Sequence, residues 1–145
     1  MTVQGTGDLA GYFGGDWALR REITDDAGGP VGSFTGTARF ALDEHGVLIY
    51  HETGQLHLGA HHGPAQRTLH YRLTEPGRAQ VYFDYGDFFH DLDLRSGRWE
   101  VTHPCRADLY RGEFELRSPQ LWRQRWEVTG PAKAHVLTTW FERLR

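Results

Sequence analysis

Two histidines, the only cysteine, an aspartate and a tyrosine fall within one stretch of the chain, VYFDYGDFFHDLDLRSGRWEVTHPCRADLYRGEF from Val81 to Phe114: His90, His103, Cys105, Asp108 and Tyr110. These residue types open several kinds of chemistry. Imidazole and thiolate suit zinc or iron, but His103-Pro104-Cys105 with a distant His90 matches no standard zinc spacing. A thiol at Cys105, activated by His90 or His103 with Asp108 orienting the imidazole, would be a nucleophile; a lone thiol beside a proline is more often a small hydrophobe. One inward-facing histidine is also a candidate haem ligand, although nothing in the sequence sets a proximal geometry. General acid–base chemistry asks least, a histidine tuned by a carboxylate with tyrosine or arginine to stabilise developing charge. His90, His103 and Asp108 are the candidate catalytic residues on that reading, and the spacing assigns no metal or cofactor.

Alternating strands must position these groups. Asp8 to Phe13 is expected to be a short helix, capped by Asp8, with Leu9, Tyr12 and Phe13 on the side that lids one end of a barrel. DWALRREIT then places Trp17, Leu19, Arg21 and Ile23 on one face, a strand with one inserted charge. VGSFTGTARFAL alternates Phe34, Gly36, Ala38, Phe40 and Leu42 against polar neighbours. VLIYHETG puts Leu48, Tyr50 and Glu52 in register, and QLHLGAHHGPAQ reads as an edge strand running into a loop. AQRTLHYRL groups Arg67, Leu69, Tyr71 and Leu73, and AQVYFDY groups Val81, Phe83 and Tyr85.

In FFHDLDL, period-two alternation sets Phe88, His90, Leu92 and Leu94 inward against Phe89, Asp91 and Asp93. WEVTHPC carries Trp99, Val101, His103 and Cys105 on a common face, and Asp108, Tyr110, Gly112, Phe114 and Leu116 continue it. LWRQRWEV sets Trp122, Gln124, Trp126 and Val128 together, whereas the two faces of AHVLTTWFERL are nearly equally apolar. Consecutive strands at about ten-residue spacing with Gly, Asp and Pro turns give an all-β chain. Hairpin-short connections favour one antiparallel up-and-down β-barrel of about eight to ten strands over a sandwich.

Composition narrows the rest. The 145 residues suit one domain, 1–145, without disulfide staples. A formal charge of -3 with scattered basic residues offers no footprint for nucleic acid. One cysteine fits a reducing compartment, the first residues have neither the basic nor the apolar region of a signal peptide, and no apolar run spans a bilayer. A cytoplasmic protein, monomer or homodimer, is expected.

YFGGDWALRREITD, LIYHETG, VYFDYGDFFHDLDL, THPCRADLYRGEF and RWEVTGPAK together resemble the bacterial domain-of-unknown-function family 6314. FFHDLDL and HPCRADLYRG carry the likeness most specifically, and Ala134-His135 after Lys133 depart from it. The resemblance implies a lipocalin-like or fatty-acid-binding-protein-like barrel and brings no established activity.

The alternation therefore predicts an interior holding Arg21, Glu52, Arg67, Tyr71, His90, His103, Cys105, Asp108, Tyr110 and Gln124. Charged groups inside a barrel pair with one another or serve a ligand, because stripping their hydration costs several kcal/mol. Arg21 or Arg67 paired with Glu52 or Asp108 would be the structural reading. A cavity for a small, partly polar or anionic organic molecule is the functional one, with Arg21 and Arg67 neutralising the anion, His90, His103 and Tyr110 hydrogen-bonding it, and Trp99, Trp126 and Phe83 packed on its apolar part. An enzyme of isomerase, cyclase or dehydratase type, with His90 or His103 as base, is the alternative. His45, His57, His61, His62 and His70 are expected in turns or on polar faces, solvated.

Overall fold

The computed structural model describes residues 5–131 and 133–145. One short helix, α1 (Leu9–Phe13), precedes β1 (Gly15–Asp25), β2 (Pro30–Leu42), β3 (Leu48–Leu58), β4 (His61–Leu73), β5 (Arg78–Phe83), β6 (Phe88–Asp93), β7 (Arg98–Cys105), β8 (Asp108–Ser118), β9 (Leu121–Gly130) and β10 (Lys133–Arg143). All ten strands form one antiparallel sheet in the order β6-β5-β4-β3-β2-β1-β10-β9-β8-β7. The pairing of β1 with β10 joins the two ends of the chain, so the sheet curls into a nearly closed barrel. Its seam lies between β6 and β7, where side chains stand in for the missing ladder: Trp99 Nε1 donates to the Asp91 carbonyl at 2.7 Å.

α1 closes one end. Asp8 accepts from the Gly11 N–H at 2.9 Å as the N-cap, and Tyr12 donates its hydroxyl to the Ser118 carbonyl at 2.6 Å. Phe13 inserts among the rings of Phe40 (4.7 Å, stacked) and Trp122 (4.9 Å, edge-on), and Trp17 Nε1 donates to the Phe13 carbonyl at 2.8 Å. Trp122 in turn stacks on Phe141, centroids 3.9 Å apart. Below the helix Phe13, Phe40, Trp122 and Phe141 pack as an aromatic core.

Two local expectations are corrected, and the face of β10 that the sequence left open is settled. QLHLGAHHGPAQ is not a fraying edge: β3 and β4 pair without a break from Leu48↔Tyr71 to Leu58↔His61, and Gly59 at φ 60° makes the tight turn. Phe89 faces inward beside His90, because a bulge in the β5–β6 ladder pairs Val81 with His90 and Tyr82 with Phe88, leaving Phe89 as the extra residue. In β10 the inner face is Leu137, Thr139 and Phe141; Trp140 points out, flanked by the Arg117 and Arg123 guanidiniums at 5.8 and 5.6 Å from its ring. Among the described residues no helix is long and apolar enough to cross a membrane.

The small residues of β2 do specific work. Gly36 stands opposite both Leu19 and Gly54, and a Cβ there would lie 2.0 Å from the Thr53 carbonyl oxygen, a backbone atom that cannot swing aside. Gly36→Ala is therefore expected to destabilise the barrel by about 1–3 kcal/mol through overpacking, read as a lowered urea midpoint. An unchanged midpoint would show that β2 and β3 do not approach as closely as described.

Candidate functional site

Beyond that aromatic core the interior is built around one carboxylate. Glu52 stands directly opposite Arg67 on β4, and Arg21 reaches it from β1, two strands away. Adjacent strands lie about 4.8 Å apart, so only a long side chain crosses β2, and it crosses where Gly36 and Ala38 leave room. Arg21 grips Glu52 with both terminal nitrogens at 2.8 and 2.9 Å, and its Nε donates to Thr139 Oγ1 at 2.8 Å. The Tyr50 hydroxyl donates to Glu52 through a short hydrogen bond, and Arg67 approaches the same oxygen at 3.5 Å.

Burial alone would raise the Glu52 carboxyl. The Arg21 hydrogen bonds, the charges of Arg67 and Arg21 and the Tyr50 donor outweigh it and hold Glu52 down at about 2. Burial, reinforced by that carboxylate, pushes Tyr50 well above the usual phenol range, so it stays a donor.

Around this network lie polar groups with no partner among the described residues. Trp122 Nε1 is fully buried and unsatisfied. The Tyr71 hydroxyl, the Gln124 amide and His90 Nε2 also make no hydrogen bond to described residues, although the three residues are 1%, 6% and 2% exposed. Register brings them into two neighbouring rows: Thr139 stands opposite both Arg21 and Gln124, and Val81 stands between Tyr71 and His90. His90 Nδ1 lies 2.7 Å from the Asp91 carbonyl, which can only accept, so the proton is on Nδ1 and Nε2 carries a bare lone pair. Burial, with His103 nearby, pushes His90 down to about 4, and the ring is neutral at pH 7.

An aromatic wall flanks the open side. Tyr85, Phe83, Phe89 and Trp126 follow one another at 5.3, 4.5 and 4.9 Å with interplanar angles of 5°, 18° and 21°. The Trp126 ring lies against Gly112, where a Cβ would meet it at 2.6 Å. Because β5 ends at Phe83 while β4 continues to His61, β4 has a free edge there. A groove of about 510 Å³ opens beside that edge, lined by Arg67, Thr68, Phe83, Asp84 and Tyr85 among others.

The candidates from the sequence thus divide. Arg21, Glu52, Tyr71, His90 and Gln124 face the interior, with Trp126 partly buried on the same wall. Arg67 is only half inside, its side chain 43% exposed. His103 is half-buried against Phe89 (5.4 Å) and Tyr110 (6.2 Å).

Cys105 departs from the expected interior position. It is exposed at the end of β7, where Arg106 at φ 59° turns the chain. Asp108 stands opposite Cys105 rather than His103 and pairs with Lys133 at 3.3 Å, so it does not orient either histidine. Among the described residues no three His, Cys, Asp or Glu side chains converge on a point that could hold a metal ion. Tyr50 and Thr139 complete the Glu52 network and were not singled out; Tyr-x-Glu on one strand face was the signal for the first.

Two acid transitions follow from these environments. A depressed folded-state pKa contributes stability present above the unfolded value and lost as pH falls through the folded one. For His90 that window runs from 6.5 down to about 4. For Glu52 it runs from 4.5 down to about 2. Each is on the order of 3 kcal/mol. Urea unfolding across pH 7 to 3 should show a two-stage loss, and His90→Asn should flatten the upper stage only. An unaltered upper stage in that variant would place the first transition elsewhere.

A comparison with curated protein sequences finds no match. Among solved structures, the S-type phycobiliprotein lyase CPES from Guillardia theta superposes with a TM-score of 0.62 at 8% identity, covering 92% of this chain and 89% of the lyase. A de novo designed fluorescence-activating β-barrel gives 0.53 at 16% identity, covering 94% and 98%. A further barrel, EF1p2_mFAP2b bound to DFHBI, gives 0.51 at 15%, covering 93% and 96%. At these identities the likeness is one of fold. A protein-family profile matches residues 13–143, nearly the whole barrel, and the chain belongs to the family of unknown function DUF6314.

Proposed function

We propose that this barrel binds a small, partly polar organic molecule in its interior, reached from the end opposite α1. The observation that carries the reading is the set of unpartnered inward polar groups: Trp122 Nε1, the Tyr71 hydroxyl, the Gln124 amide and His90 Nε2. Trp122 Nε1 is a buried donor left unmade, which costs about 1–3 kcal/mol, and a bound molecule would give it and the other three inward groups the hydrogen bonds they do not make within the described residues. That two of the similar barrels are fluorescence-activating or bound to DFHBI agrees with this use of the fold. The exposed Cys105 thiol suits a reducing setting such as the cytoplasm.

The enzymatic alternative rests on the bare lone pair of His90 Nε2. A histidine held at about 4 is a weak base at neutral pH, where a general base works best with a pKa near 7. With Asp108 engaged by Lys133, no carboxylate from the candidate triad raises it. His90 is the better hydrogen-bond acceptor, and binding is the better reading.

The tryptophans report on occupancy. Trp17 Nε1 and Trp99 Nε1 already donate to carbonyls, Trp140 faces outward, and Trp122 and Trp126 line the interior. In indole-region NMR spectra of the ¹⁵N-labelled protein, small polar aromatic compounds are expected to move the Trp122 and Trp126 signals and leave Trp140 in place. Tyr71→Phe and Gln124→Leu should each weaken such binding about five- to tenfold. Shifts confined to Trp140 would move the binding site to the barrel's exterior and overturn the reading.

A further inference from the structure

The charge balance of the interior narrows the ligand class, given the binding reading above. Two guanidiniums, Arg21 and Arg67, face the single carboxylate of Glu52. Arg21 is fully engaged, with two bonds to Glu52 and one to Thr139. Arg67 makes one long contact at 3.5 Å, and its side chain is 43% exposed. The trio thus keeps one positive charge, and it sits on Arg67.

Among the described residues no other buried charge beside it cancels that excess. His90 is neutral, Asp108 is held by Lys133, and the Asp84 side chain at the groove is 68% exposed and turned to His70, 3.1 Å away, whose place next to the inward Leu69 and Tyr71 puts it on the outer face of β4. The remaining buried acid among the described residues, Glu115, follows the inward Phe114 on β8, so it faces outward, where Arg98 meets it at 3.1 Å.

Arg67 also has an aromatic neighbour. Leu69 pairs with Phe83, so Arg67, two residues further along the same face, is diagonal to Phe83 at about 7–8 Å, within reach of a ring placed between them. From Phe83 the near-parallel rings continue to Phe89 and Trp126. We infer that the ligand is a planar aromatic acid, its single anionic group on Arg67 and its ring packed on the edges of the mutually stacked Phe83, Phe89 and Trp126. A charge-assisted bond to a guanidinium and an edge-to-face aromatic contact are the two features such a molecule needs.

A matched pair of fluorescent probes tests this. 1-Anilinonaphthalene-8-sulfonate and N-phenyl-1-naphthylamine share their rings and differ by the sulfonate. Titrated into the wild-type protein, the sulfonate is expected to bind at least about tenfold more tightly than the neutral amine. Arg67→Gln should abolish the preference by weakening the sulfonate relative to the amine, whereas Arg67→Lys should retain most of it. Near-ultraviolet circular dichroism checks that each variant keeps its packed aromatic core, and the wild-type comparison stands without them. Equal binding of the two probes, or a sulfonate preference that survives Arg67→Gln, overturns the anion assignment while leaving the binding reading intact. Failure of both probes to saturate the wild-type protein contradicts the two together.

Discussion

Glu52 is an ionised carboxylate inside a small barrel, and much of the interior is arranged around keeping it so. Removing one partner of a buried ion pair typically costs about 3–5 kcal/mol, because the charge left behind has neither water nor a counterion. Here the counterion comes from β1, the donor hydroxyl from β3 itself and the second guanidinium from β4. Arg21 also binds Thr139 on β10. One network therefore ties together four strands on both sides of the β1–β10 closure, and it requires β2 to carry Gly36 and Ala38 where the guanidinium passes.

The two ends of the barrel have opposite characters for a physical reason. At the helix end, Phe13, Trp17, Phe40, Trp122 and Phe141 fill the cross-section with rings in contact, and α1 covers them. Towards the other end the Glu52 network and the wall of Phe83, Phe89 and Trp126 take over from that packed cluster. Packing supplies stability at the first, and the proposed recognition belongs to the second. At the seam between β6 and β7 the Trp99 indole crosses to the Asp91 carbonyl and closes by a side chain what the ladder leaves open.

Period-two alternation was enough to place Arg21, Glu52, Tyr71, His90 and Gln124 inside, because a regular strand leaves no other choice once its apolar face is buried. The short helix and the strand succession were legible for the same reason, through Asp8 as cap and Gly-rich turns. Phe89 was not, since a bulge breaks the alternation and depends on how the partner strand ends. Cys105 and Asp108 were set inside by extending that alternation to the ends of β7 and β8, where the strands reach the rim and burial falls away. The near-equal faces of β10 hide their orientation from sequence; outward cationic partners for Trp140, contributed by β8 and β9, exist only once the sheet is assembled.

The central claim, an interior shaped for a small organic guest, is tested most directly by native mass spectrometry of the protein purified from its own host, set beside its denatured mass. The account expects a stoichiometric organic adduct that disappears on denaturation and is lighter or absent when Tyr71, Gln124 and Arg67 are replaced together. A folded chain that carries no adduct from its host, and gains none when incubated with that host's small-molecule extract, would contradict it.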